Sequence, residues 1–353
     1  MSKGRFNNNN AFGVELELTT PTQIDGSSVS YTTSRHQLVA KLREAGIDAR
    51  VEGYGHDTQT YWKLTTDGTV SSRRGQHGGS ELVSPKLYGQ DGKEQLKTVL
   101  KVCNDFGCQV NVSCGTHVHH DVTNEMIRDE NSVELFLKSL IRTVVKYENI
   151  IYRLISPSRL KMVNGSYWTR PARSYYLAEA FTLRHDMPSN FLDKLKETSK
   201  RLEKKIKRDV SRKVRRHGNR VSTSNYSTPS RTQRDRYCGL NLMNIWKRGS
   251  VEFRYHQGTL NFDKLWAWVV FTQALVNSSI DKKTVSFTKV QTNVHGLFHL
   301  RKAVGFIGHT NQCDDVKFAN KVISKRFKEL TTPEMNRKRS NSGIYKYIKE
   351  SLI

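Results

Sequence analysis

Two short stretches constrain this chain more than any other feature. VELEL (14–18) and VEFRYH (251–256) both alternate apolar and charged residues with a period of two. That period belongs to a β-strand, in which successive side chains point to opposite faces. Glu15 and Glu17 would share one face and Val14, Leu16 and Leu18 the other. Glu252, Arg254 and His256 would likewise share a face, opposite Val251, Phe253 and Tyr255. The fold must supply a core on one side of these strands and something that accepts acids, a guanidinium and an imidazole on the other.

The rest of the pattern mixes strands with helices, which predicts an α+β fold. FGVELELT (12–19) reads as a strand. Ser34 is placed to cap a helix running to Gly46, with Leu38, Val39 and Leu42 on one face. TYWKLTTDGTV reads as strand and turn, with Asp67-Gly68 the turn signal. Residues 80–84 form a short strand stopped by Pro85. Asp91 opens a helix to Gly107, and CQVNVSCGTHVHH alternates as strand, turn, strand. A long apolar helix spans 132–155, and a second, DKLWAWVVFTQALV, follows the strand 250–256.

The chain has 353 residues, enough for a sizeable core. No apolar run reaches the roughly 20 residues of a membrane helix. MSKGRFNNNN lacks the apolar segment of a secretory signal, so the cytoplasm is expected. Five cysteines without a CxxC pair argue against a disulfide scaffold and against structural zinc. Net charge is +25, which predicts attraction to a polyanion. Nearly half of that excess lies in 194–236, with 16 Lys and Arg against 4 Asp and Glu. That segment reads either as a solvated helix or as a basic arm guiding an anionic substrate. YWTRPARSYY interleaves aromatics with arginines, the composition of a stacking surface for nucleic acid as well as of a half-buried loop.

His117 and His119 repeat the shared-face geometry in GTHVHH, whereas His120 points away. Glu81 is an acid on a strand with no other charge, and glycines 75, 78 and 79 would let backbone approach a ligand closely. Singly, each of these motifs is also an ordinary edge, turn or core feature. Together, carboxylates plus imidazole suit Mg²⁺ or Mn²⁺ better than a thiolate metal. Arg254 could hold a phosphate bidentately, His256 could reach the same pocket, and Lys63 and Arg73 offer further phosphate contacts. No P-loop or Rossmann glycine fingerprint occurs.

In this order, FGVELEL, WKLTTDGTVS, SELVSP, CGTHVHH and YCGLNL…GSVEFRYHQGTLN resemble the amidoligase family of the carboxylate–amine ligase superfamily. The resemblance runs from about residue 12 to 275. It implies a glutamine synthetase-like antiparallel sheet with flanking helices, elaborated by a basic helical insertion. The expected division is 1–188 and 237–310 as the two parts of the ligase domain, 189–236 as the insertion and 311–353 as a basic helical tail. It further implies ATP-dependent amide formation through an acyl phosphate. Glu15, Glu17, Glu81, Glu252 and one of His117 and His119 would hold metal, Arg254 would hold phosphate, and Asp67 would receive the amine. A large or anionic substrate is expected, and such a basic protein would suit a bacteriophage genome. An oligomer is compatible with sites of this kind. Two other functions compete: a nucleic-acid-binding protein with an inactive ligase-like site, and a metal-dependent nuclease that needs no ATP.

Overall fold

The computed structural model describes residues 6–7, 9–53, 59–160, 169, 171–172, 192–193, 195–197, 200, 238–243, 245–280, 290–309 and 312–340. Its centre is a seven-stranded sheet. In chain order the strands are β1 (Phe12–Pro21), β4 (Ala49–Val51), β5 (Trp62–Thr66), β6 (Gln76–Val83), β7 (Gly115–Asp121), β8 (Leu240–Asn241) and β9 (Ser250–Gln257). A separate two-stranded ribbon joins β2 (Gln23–Ile24) and β3 (Ser27–Ser28). The spatial order of the main sheet is β4-β5-β6-β1-β7-β9-β8, antiparallel everywhere except for the parallel β4–β5 pair. The fold is therefore α+β, as the mixture of strand and helix periods predicts.

One face of the sheet is the core. Val14, Leu16, Leu18, Leu64, Leu82, Val118 and Phe253 alternate along their strands and are all buried. Helices α1 (Tyr31–Glu44), α2 (Gly89–Asp105) and α6 (Phe262–Ile280) cover the apolar surface. Spacing puts Leu38, Val39 and Leu42 of α1 inward, along with Leu96, Val99, Leu100 and Cys103 of α2. Helix α6 is buried almost all round, which its run of Trp, Val, Phe and Leu requires. Helices α4 (Glu130–Ile151) and α8 (Asp314–Leu330) pack on its other side. Shorter helices are α3 (Thr123–Met126), α5 (Ile245–Arg248), α7 (Val294–Ala303) and α9 (Pro333–Ser340).

Three local expectations need correction. Helix α1 begins four residues earlier than expected. Its cap is Ser30, whose side chain accepts from the Thr33 amide, while Ser34 is buried and donates to the Pro21 carbonyl at 2.9 Å. Residues 108–114 form no strand, and only Gln109 bridges Thr19. The segment expected as a tail is packed instead: Val316, Ala319, Ile323 and Phe327 of α8 join the core. Arg339 is buried and donates to the Tyr152 and Ile155 carbonyls, at 3.2 and 2.9 Å, beyond the end of α4. Nearly all of the basic stretch 194–236 lies outside the described residues, as does most of YWTRPARSYY. No described helix is long and apolar enough to cross a membrane.

Candidate active site

The opposite face of the sheet carries the charge. Register fixes which residues meet. Glu15 stands opposite His117, Glu17 opposite Glu81, Glu81 opposite Thr65, and His119 opposite Glu252. Four neighbouring strands thus bring Glu15, Glu17, Glu81, His117, His119, Glu252 and Arg254 onto one surface. Asp67 follows the end of β5 at its rim.

The acids and imidazoles interlock. Glu15 reaches His117 Nδ1 at 2.9 Å and His119 Nε2 at 3.1 Å. His117 also lies 3.4 Å from Glu17 Oε1 and 3.6 Å from Glu252 Oε1. The Gly115 amide donates to Glu17 Oε2 at 2.6 Å. Asn241 donates to Glu252 Oε2 at 2.6 Å, and Arg254 pairs with the other Glu252 oxygen. Asp67 Oδ1 accepts from both the amide and the hydroxyl of Thr69, each at 2.7 Å, which orients its carboxylate.

Electrostatics divides the acids into two groups. Burial opposes the charge on Glu15, but His119 and His117 outweigh it and hold the carboxyl well below its usual range. Burial also opposes the charge on Glu252, and Arg254 and His119 again outweigh it. Glu17 and Glu81 go the other way. Burial pushes both up, and Glu81 is pushed further by repulsion from Glu15, Asp67 and Glu17. Two Glu residues directly opposite each other on antiparallel strands are destabilising unless a cation lies between them. Ligand atoms of Glu17, Asp67 and Glu81 lie within 4.8 Å of one another, as do those of Glu15, Glu81 and His117 and those of Glu15, His119 and Glu252. Among the described residues the buried His117 Nε2 makes no hydrogen bond, its nearest carboxylate being Glu17 at 3.4 Å. Hard oxygen donors, repelling acids and a spare imidazole nitrogen fit a divalent cation.

Not every expected residue reaches this surface. His256 does not. A bulge sets Arg254 and Tyr255 together against His117, because Val118 pairs Phe253 while Thr116 pairs His256. The extra residue turns His256 to the core face. There it is fully buried, 5.2 Å from the Trp268 ring, with its pKa pushed down to about 3 by burial. His120, on the core face throughout, meets Thr272 Oγ1 at 2.7 Å. Lys63 is buried on the charged face, one residue pair from Glu15, since it stands opposite Val83 and Val83 opposite Glu15. Arg73 lies exposed in the turn before β6, bridged to Gln76, and makes no ion pair among the described residues. The glycines near it serve their own turn. A Cβ on Gly78 would come within 2.4 Å of the Ser72 amide nitrogen, and Gly75 and Gly79 have positive φ.

One residue of the site carries no sequence signal. Arg159 follows α4 in a 3-10 turn (Pro157–Leu160) and is buried. Its guanidinium lies over Gly115, where a Cβ would meet it at 2.7 to 2.9 Å. Nothing in SPSRL separates this arginine from the many others, because only the tertiary fold brings it to β7.

A family model described as "Putative amidoligase enzyme" matches residues 8–276. No curated protein matches the sequence. Among solved structures, the complex between prokaryotic ubiquitin-like protein Pup and its ligase PafA aligns with a TM-score of 0.33 and 9% identity. That alignment covers 98% of this chain and 65% of the other, so the chain spans less than two thirds of that protein's length.

Proposed function

The chain belongs to the amidoligase family, and we propose that it joins a carboxylate to an amine in an ATP- and Mg²⁺-dependent reaction. The observation that carries this reading is the layer of Glu15, Glu17, Glu81, His117, His119 and Glu252 beside Arg254 on one face of the sheet. A nucleotide's triphosphate and a carboxylate repel each other, and a surface that gathers cations is what lets them approach.

In this reading, Glu17 and Glu81 hold one divalent ion, and Glu15, Glu252 and the two imidazoles hold another. Mn²⁺ would fit the same donors. Bound there, the ions would neutralise phosphate charge and align the γ-phosphate with the acceptor oxygen. The residues of the chain divide the remaining work. Arg254, fixed by Glu252, presents donors to the transferring phosphoryl group. That group passes from ATP to a carboxylate oxygen and leaves ADP. The amine then attacks the acyl carbon, phosphate departs, and the amine's proton goes to a base. Asp67 is placed for that role, because Thr69 holds only its Oδ1. Lys63, buried on the same face, provides a further positive charge toward phosphate. The dense positive charge of 194–236 favours an anionic or macromolecular substrate.

The test is calorimetric titration of a non-hydrolysable ATP analogue with Mg²⁺ into wild type and Glu17→Ala, at high salt to screen the net charge of +25. Micromolar binding that requires Mg²⁺ and disappears in the variant is expected. Binding indifferent to both, or none at all, would overturn the reading. DNA cleavage with Mg²⁺ and no ATP would support a nuclease instead.

A further inference from the structure

Arg159 is a buried charge on this face with little compensation among the described residues. It is 4% exposed, yet no carboxylate lies within ion-pair distance among the described residues. Among those residues its side chain makes one hydrogen bond, from Nη2 to the Arg254 carbonyl at 3.1 Å, and its buried Nε makes none. Burial lowers its pKa to about 10, with Glu17 countering and Arg254 adding to the depression. A guanidinium has five donors, and burying one without an anion is costly. The fold nevertheless holds it firmly. Its backbone amide donates to Ser156, its carbonyl accepts from Thr169, and Arg326 and Arg339 tie down the carbonyls of 152–155 just before it. Gly115 leaves the space it fills.

We propose that Arg159 is a second anion-binding arginine of this site and takes a non-bridging oxygen of the terminal phosphoryl group of ATP. The inference rests on the ligase reading above. Its warrant is a count of donors. Arg159 lies over Gly115, whose amide binds Glu17, a member of one cation cluster, and it donates to the backbone of Arg254. For a cation at Glu17, Arg254 and Arg159 each to hold an oxygen of its own, the shared anion must offer three oxygens. A phosphoryl group has three, whereas a carboxylate has two. Arg159 then keeps its grip as the group moves from ADP to the carboxylate, because the non-bridging oxygens are the ones unchanged by transfer.

The experiment compares two probes on wild type, Arg159→Met and Arg159→Lys: the β,γ-imido analogue of ATP and ADP, each with Mg²⁺. Loss of a charged hydrogen bond to the terminal phosphoryl predicts about a tenfold to hundredfold weaker binding of the analogue to Arg159→Met, with ADP affinity within about twofold of wild type. Arg159→Lys should fall between, since an ammonium keeps the charge and loses the fork. The melting temperature of ligand-free Arg159→Met should equal or exceed that of wild type, because the variant removes an unpaired buried charge. Equal weakening of both probes would make Arg159 a structural residue and overturn the proposal. So would undiminished analogue binding in Arg159→Met, which would leave the ligase reading standing. If Arg159→Met melts early, the Arg159→Lys comparison decides by the same criteria. Wild type that binds neither probe would overturn the ligase reading together with this one.

Discussion

Glu81→Gln should stabilise the metal-free protein, and by more as the pH rises. Glu81 faces Glu17 across the β1–β6 pair, and Asp67 completes a set of ligand atoms within 4.8 Å. At that separation two full charges repel by about 3.5 kcal/mol at an effective dielectric constant near 20. Protonation relieves part of this, so a gain of roughly 1–3 kcal/mol is the reasonable range for removing the charge. The sign follows from linkage. The folded carboxyls of Glu81 and Glu17 are pushed above their unfolded values, so the folded state binds more protons than the unfolded one over that interval. Their contribution to stability is fully present below about pH 4.5 and is lost as pH rises through the folded pKa. Gln cannot ionise, so its advantage over Glu is small near pH 4.5 and greatest well above it. For a chain of 353 residues, each kcal/mol is worth about 1–2 °C in melting temperature. The assay is thermal melting of wild type and variant across pH, in chelator and again with Mg²⁺. In chelator the variant should melt about 1–5 °C higher at neutral pH, and Mg²⁺ should raise wild type far more than the variant. A variant that melts lower than wild type in chelator at every pH would make Glu81 a structural group whose charge the fold needs.

Three other perturbations test the frame around the site. His256→Phe should leave Mg²⁺-dependent nucleotide binding within about twofold of wild type, because His256 is on the core face. It should also relieve acid destabilisation: the folded pKa of about 3 lies below the unfolded value near 6.5, so wild type loses stability as pH falls through that interval, read by denaturant melts at several pH values. Ser30→Ala should cost about 0.5–2 kcal/mol through loss of the α1 cap, measured by urea unfolding, and leave nucleotide affinity alone. Gly78→Ala should cost at least about 1–3 kcal/mol in the same assay, because its Cβ would run into the Ser71–Ser72 backbone.

Much of the charged face is legible in the alternation alone. Period two places Glu15 with Glu17 and His117 with His119, and the observed strands keep both pairs together. The apolar partners of those residues build the core face, so pattern and packing agree. What alternation cannot reveal is a break in itself. VEFRYH reads as an uninterrupted strand, yet one of its residues is taken up in a bulge, and every side chain beyond it changes face. The apolar Trp268 surface and Thr116 receive His256, and no local residue announces that outcome. Helix α1 shows a smaller version of the same problem. Two serines stand four residues apart, each a plausible cap, and only the contact of Ser34 with Pro21 decides between them.

Arg159 marks the deeper limit and also shows how the two faces of the sheet cooperate. Its position depends on α4 ending near Ile151, on the 3-10 turn that follows and on arginines from a segment some 170 to 190 residues later in the chain. Arg326 and Arg339 donate to the carbonyls that follow α4, a task that neutral side chains perform with fewer donors. The C-terminal helices therefore do more than close the apolar layer. They anchor the segment whose last residues cross to the charged face, so that a buried guanidinium is held against Gly115 before any ligand arrives. An anion binding there would meet donors already fixed in place, and the ordering would have been supplied by the apolar packing of α8 on α6.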